Sequence, residues 1–336
     1  MRILLGCLLA WSAATATAQN LLYVGNSRGD DVSIVDLATL KVVGDIKLGD
    51  RIHGVAVQPD GKRLFVTVES DHTLRIIDTG SRQTVGTVKV SGRPNQVAVT
   101  PDGKYAVVPI RDGNQVDIVD VAKQKVLKSL PINEPHNALN AGSNRYVYVS
   151  SMGSHEINVI DLEKMDYSAV IPAGGRPRPY AVSADGRTMY VAVADLHGFV
   201  IVDIPDKKVL ETVAIPAEHL THPLLYETAD TLTHGLALTP DGSELWVTSL
   251  LDDCVYVYDV KAKKIAGKVP TGGGPNWLAF TPEGKYLYVS DTDSDDVTVI
   301  DVKNRREVTR IKVGRVPKRL AVCGGCARVS KAVNRF

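Results

Sequence analysis

Residues 64–90 read LFVTVESDHTLRIIDTGSRQTVGTVKV. Three alternating runs, Leu64–Val68, Leu74–Asp78 and Gln83–Val88, are parted by the polar stretches Glu69–Thr73 and Thr79–Arg82. Alternation at period two between turn-forming residues marks half-buried strands. Just upstream, Val55–Gln58 followed by Pro59-Asp60-Gly61 supplies a fourth strand and a tight hairpin turn. The stretch is therefore a four-stranded antiparallel unit.

The unit recurs along the chain. Its third strand ends in aspartate at Asp36, Asp78, Asp120, Asp161, Asp203, Asp259 and Asp301, with steps of 42, 42, 41, 42, 56 and 42. The hairpin turn returns at Pro101-Asp102-Gly103, Asp185-Gly186, Pro240-Asp241-Gly242 and Pro282-Glu283-Gly284, and only the fourth unit replaces it, with Ala141–Asn144. Four strands in about 40 residues is the period of a β-propeller blade. The body of the chain begins at the second strand of a unit, Leu21–Val24, and ends with a lone first strand, Arg319–Val322. The last strand is expected to complete the first blade and remove the open edges. An all-β, seven-bladed β-propeller over 19–326 follows, one domain where 336 residues would permit two.

Residues 64–90 and residues 287–314 (LYVSDTDSDDVTVIDVKNRREVTRIKVG) resemble the YVTN-type propeller repeat of exported bacterial and archaeal proteins. The resemblance extends from Leu21 to Val322. It implies the fold and an exported setting, with members that range from surface-layer-like proteins to proteins encoded near quinoprotein oxidation systems. It says little about activity, which resides in sites grafted on a fold.

Residues 1–18, MRILLGCLLAWSAATATA, have a basic Arg2, a short apolar run and an Ala-Thr-Ala cleavage site. They are expected to be a signal peptide cut after Ala18, leaving a periplasmic or secreted protein with a 327–336 tail. No other segment is apolar enough to span a membrane. Lys plus Arg is 39 against 38 for Asp plus Glu, which excludes a protein that wraps nucleic acid with a strongly basic face. A monomer is expected.

Residues that break the repeat carry the functional reading. His53, His136 and His234 stand at the head of the first strand of alternate units, in a column completed by Asn95, Arg178, Asn276 and Lys318. The first strand of each blade lines the channel, so the column is expected to ring one mouth. His72, His155 and His197 fall in the turns between second and third strands, and His219 and His222 in the 14-residue insertion within 216–234, expected to overlie the same mouth. These eight histidines suit zinc or copper. Arg51, Arg93, Arg178 and Lys318, with Asn95 and Asn276, suit an anion instead, and Arg176, Arg315 and Arg319 lie in the same approach. Cys323 and Cys326 are expected to form a local disulfide, and Ala327 stands where a haem c site would need histidine. No nucleotide fingerprint is present, and only Trp246 and Trp277 follow the signal, which argues against PQQ.

Three functions fit. The first is an exported binding protein with a histidine-rich, metal-binding channel mouth for a metal ion or small ligand. The second is a copper-type redox metalloenzyme using the same histidines. The third is a scaffold for a protein partner without a metal.

Overall fold

The computed structural model describes residues 19–216 and 231–326, which form 28 strands and no helix. The strands make seven sheets of four. Blade 2 shows the pattern, with β4 (Ile52–Val57), β5 (Arg63–Val68), β6 (Thr73–Asp78) and β7 (Gln83–Lys89) pairing in sequence order. Blade 1 pairs β28 (Pro317–Cys326) with β1 (Gln19–Asn26), β2 (Asp31–Asp36) and β3 (Lys41–Lys47). Val24 faces Leu320 and Leu22 faces Val322 in an antiparallel ladder, so the two ends of the fold close the ring. The closing strand is longer than the alternation indicates. It runs on to Cys326, so Cys323 lies within the strand and not after it.

The repeated aspartates explain the register. At the end of each third strand a carboxylate oxygen accepts a backbone N–H two or three residues on, as Asp36 does from Ala38 and Thr39, Asp120 from Lys123 and Asp259 from Ala262. Each such turn then passes through one left-handed residue, among them Leu40, Arg82, Gln124 and Met165. This geometry belongs to a hairpin whose extra residue restores the strand twist.

The core lies between blades. Trp246, wholly buried, packs with Val255, Leu278 and Leu287 across the seam between two sheets. Because every blade contributes to two seams, closing the ring buries both faces of all seven sheets.

Candidate functional site

The inner strands share one irregularity. Register shifts occur between Ile52 and Val55 in β4, between Pro135 and Ala138 in β12 (Pro135–Leu139), and between Pro177 and Tyr180 in β16 (Pro177–Val182). They recur between Thr233 and Leu236 in β20 (Thr233–Leu238) and between Pro275 and Trp277 in β24 (Pro275–Phe280). In β28 the partner register steps from Pro317 to Arg319. The residues skipped include His53, His136, Arg178, His234, Asn276 and Lys318. A bulge leaves a residue out of the ladder and re-aims its side chain. The polar column read from the sequence is therefore a column of bulges.

Hydroxyls on the neighbouring strand satisfy the amides that the bulges release. Gly54 N–H donates to Thr67 Oγ1, Asn137 N–H to Ser150 Oγ, Gly235 N–H to Thr248 Oγ1 and Trp277 N–H to Ser290 Oγ. Thr67 in turn donates to the Asn95 carbonyl of the next blade. Gly54 must be glycine, since a Cβ there would meet Asn95 O and Thr67 Oγ1 at 2.8 Å. Thr67→Val leaves a buried N–H and a buried C=O without partners. It is expected to cost about 1–3 kcal/mol in urea unfolding, and an unchanged unfolding midpoint would remove the hydroxyl from this role.

His53, Arg111, His136, Arg178, His234, Asn276, Lys318 and Arg319 line one cavity of about 20 Å³. All seven blades contribute, so the cavity lies on the axis. It has room for a single small ion. The rings of His136 and His234 meet edge to face with centroids 6.0 Å apart. His53 donates from Nδ1 to Glu69 Oε1 at 2.5 Å, and His234 donates from Nδ1 to the Asn276 carbonyl at 2.9 Å. Arg319 is 1% exposed. Its Nη1 donates to Asn276 Oδ1 and its guanidinium stacks 4.1 Å from the Trp277 ring centre, while Nε and Nη2 have no partner among the described residues. Asn276 Nδ2 and His136 Nδ1 are buried in the same condition.

Burial and charge act together on the groups around the cavity. Burial, offset in part by the bond to Glu69, pushes His53 down to about 4. Burial and the Arg178 and Arg319 guanidinium groups hold His136 and His234 well below the usual histidine range. Burial and the neighbouring Arg178 push Arg319 down to about 9, which keeps it charged at neutral pH. The cavity thus presents, among the described residues, neutral histidines and the buried guanidinium of Arg319, with Arg111, Arg178 and Lys318 also in its lining. Among the described residues, no three His, Cys, Asp or Glu side chains converge as a metal site. Glu69 is engaged by His53, and a divalent ion in the cavity would meet the charge of Arg319 at short range in a low-dielectric setting. This donor set, among the described residues, does not fit a divalent metal.

The other residues read as ligands lie elsewhere. His72 and His155 are exposed at left-handed turn positions, φ 55° and 60°, beside Asn114, Asp253 and Asp295 in the equivalent turns. Outside glycine, that conformation favours Asn, Asp and His, so backbone geometry accounts for a column that reads as metal ligands. His197 is buried between blades, with Nδ1 on the Ile215 carbonyl and Nε2 on Ser249 Oγ. His219 and His222 lie outside the described residues. Arg51 is exposed beside Asp50, and Arg93 pairs with Asp112. Asn95 is buried at the head of blade 3 but does not line the cavity. Cys323 is disulfide-bonded, and the side chain of Cys326, its expected partner, lies outside the description. Cys254 is a buried thiol packed with Tyr256 and Tyr258.

Arg111 and Glu69 are site residues that the repeat reading passes over. They occupy one position, just after the second strand of blades 3 and 2, where the other blades carry Ser27, Met152, Ala194, Leu250 and Thr292. Being the two charged members of that column is the signal that identifies them.

Two family matches bear on this ring. The "Lactonase, 7-bladed beta-propeller" family matches residues 202–318, and the "YNCE-like beta-propeller" family matches residues 6–129. The chain is a β-propeller. No curated protein matches it significantly. Among solved structures the propeller is similar to a functionally unknown protein from Desulfotomaculum acetoxidans, at 17% identity and TM-score 0.76, covering 91% of this chain and 99% of that one. It is also similar to Kuenenia stuttgartiensis hydrazine synthase, at 23% identity and TM-score 0.69, covering 81% and 89%. The dihydro-heme d1 dehydrogenase NirN matches at 17% identity and TM-score 0.66, covering 93% and 77%. At these identities the likeness is one of fold, and the propeller's function is argued from its own cavity.

Proposed function

We propose that this propeller is an exported binding protein that holds one small anion on its axis, in the cavity ringed by His53, His136 and His234. The signal-like residues 1–18 and the likeness to the YVTN-type repeat support the exported setting. Arg319 carries the anion reading. A guanidinium that is 1% exposed, with Nε and Nη2 unpartnered among the described residues, is costly unless an acceptor fills the space beside it. Arg111, which also lines the cavity, adds a second positive charge. The bulges make the site rigid, because each side chain is fixed by its blade before a ligand arrives, which lowers the ordering cost of binding.

The test is calorimetric titration of the untagged mature protein, in a chloride-free buffer, with bromide, phosphate, zinc and copper. One anion per chain is expected, with affinity that falls as sodium chloride is added. Stoichiometric zinc or copper lost in a His53/His136/His234 triple alanine variant, with no anion bound, would overturn the reading in favour of a metal centre.

A further inference from the structure

We infer that Asp291 is a neutral carboxylic acid at pH 7 that donates a hydrogen bond to Asp296, a proton latch on one corner of blade 7 that weakens as pH rises. The inference is independent of the axial cavity. Blade 7 consists of β24, β25 (Tyr286–Asp291), β26 (Asp296–Asp301) and β27 (Arg306–Lys312). The last residue of β25, Asp291, stands directly opposite the first of β26, Asp296, and both are buried. Like charges directly opposite each other destabilise a sheet. Blade 1 shows how the corner is neutralised there. Asn26 of β1 stands opposite Asp31 of β2, and Asn26 Nδ2 donates to Asp31 Oδ1 at 2.6 Å. Lys47 pairs with Asp31, as Lys312 pairs with Asp296 at 2.9 Å. The two corners match except that Asn26 brings a donor, and Asp291 brings one only when it is protonated. The other five blades carry Val68, Ile110, Ser151, Val193 and Ser249 at this position, so the fold itself does not require a carboxyl there.

The hydrogen bonds around Asp291 assign its two oxygens. Oδ2 accepts from the Thr298 N–H at 3.1 Å and from the Thr298 hydroxyl at 2.6 Å. Oδ1 is buried and meets no donor among the described residues. The Asp296 carboxyl lies within hydrogen-bond reach of Asp291. It already accepts from Ser294 Oγ at 2.8 Å and Lys312 Nζ at 2.9 Å, so it is the member of the pair that keeps its charge. The proton therefore sits on Asp291 Oδ1, and Lys312 balances Asp296. Arg310, also on β27, is the other cation whose charge is felt at this corner. From the turn before β24, Gly272 meets the corner with backbone alone. A Cβ there would come within 2.7 Å of Asp296 Oδ1 and 2.8 Å of Asp291 Cβ, so that side is closed to solvent or an ion. Burial, with the facing Asp296, holds the Asp291 carboxyl well above the usual carboxylate range, and the Thr298 bond offsets this only in part.

Infrared difference spectra of the mature protein against Asp291→Asn test the latch at pH 7. The wild type is expected to show the carbonyl stretch of one protonated carboxyl, shifted in D2O and lost in the variant. Asn26→Asp rebuilds the same pair in blade 1 and is expected to add a second such band. Stability gives a separate readout. An unfolded aspartate releases its proton near 3.8, so above that pH the folded chain keeps a proton that the unfolded chain gives up. The contribution of Asp291 is whole below pH 3.8 and declines as pH rises toward its folded value. Asp291→Asn removes the decline, so its melting temperature is expected to gain on the wild type by about 3–5 °C per pH unit between pH 5 and 7. The buried histidines act on both proteins alike, so the comparison isolates Asp291. No such band in the wild type, or a band that survives in Asp291→Asn, overturns the inference. Melting of the wild type that rises with calcium, and does not in Asp291→Asn, also overturns it, since the pair would then be an ionised cation site.

Discussion

Replacing Arg319 with methionine is expected to weaken anion binding by about 100-fold or more and to raise the melting temperature of the ligand-free protein. Methionine keeps the unbranched apolar stem, though it is shorter, and its thioether suits the edge of the Trp277 ring, which the guanidinium now covers at 4.1 Å. What it removes is a buried charge beside Arg178, Lys318 and Arg111, with two nitrogens unpartnered among the described residues. Without a ligand that charge is a liability, and each 1 kcal/mol recovered is expected to raise melting by about 2–4 °C in a domain of this size. With a ligand the charge is the main attraction, so affinity and stability move in opposite directions. Differential scanning calorimetry with and without bromide separates the two effects. A variant that melts lower and binds anion as before would make Arg319 a structural residue.

Acidification is expected to destabilise the fold steeply between pH 6.5 and 4.5. An unfolded histidine titrates near 6.5, whereas His53 is held at about 4, chiefly by burial, and His136 and His234 are held well below the ordinary value for the same cause. Below pH 6.5 the unfolded chain takes up protons that the folded chain refuses. The histidine contribution is thus whole above that pH and shrinks as pH falls. Each ring adds a slope of about 1.4 kcal/mol per pH unit, so three approach about 4 kcal/mol per unit near pH 5, a large share of the stability of an ordinary domain. Glu69 works in the same direction at lower pH. Burial acts to raise its carboxyl, but the bond from His53 and the charges of Arg93 and Lys318 outweigh it and set it at about 2. Its contribution is present above its ordinary value of 4.5 and is lost as pH falls toward 2. Urea unfolding at half-unit pH steps measures the slope, and His136→Gln should remove about a third of it. A stability curve flat from pH 7 to 5 would contradict the buried, neutral histidines.

The fold was legible because its chemistry is local and repeated. Seven aspartates cap seven turns, the Pro-Asp-Gly hairpins fix the pairing, and the split first blade is visible in which strand begins and ends the series. The convergence of His53, His136 and His234 was legible for the same reason, as one position read around a ring. The anion reading proposed above was not, because a column of His, Asn and Arg leaves open whether cations or lone pairs dominate. That depends on Arg111 and Arg319 reaching the same space and on Glu69 being taken up by His53. His72 and His155 show the opposite case. A left-handed turn selects Asn, Asp and His by backbone conformation, and a metal site selects overlapping residues for their lone pairs. Sequence cannot separate the two demands; backbone angles can. His197 is a third case, a loop residue by position that packs between two blades against Tyr256 and Ser249.

The most direct test of the account is anomalous diffraction from crystals of the mature protein soaked in bromide, a monatomic anion with an accessible absorption edge. The account predicts one bromine peak per chain on the propeller axis, beside Arg319 and within the ring of His53, His136 and His234. An empty axis at full soak, or a zinc or copper peak held by His53, His136 and His234 in its place, would contradict it.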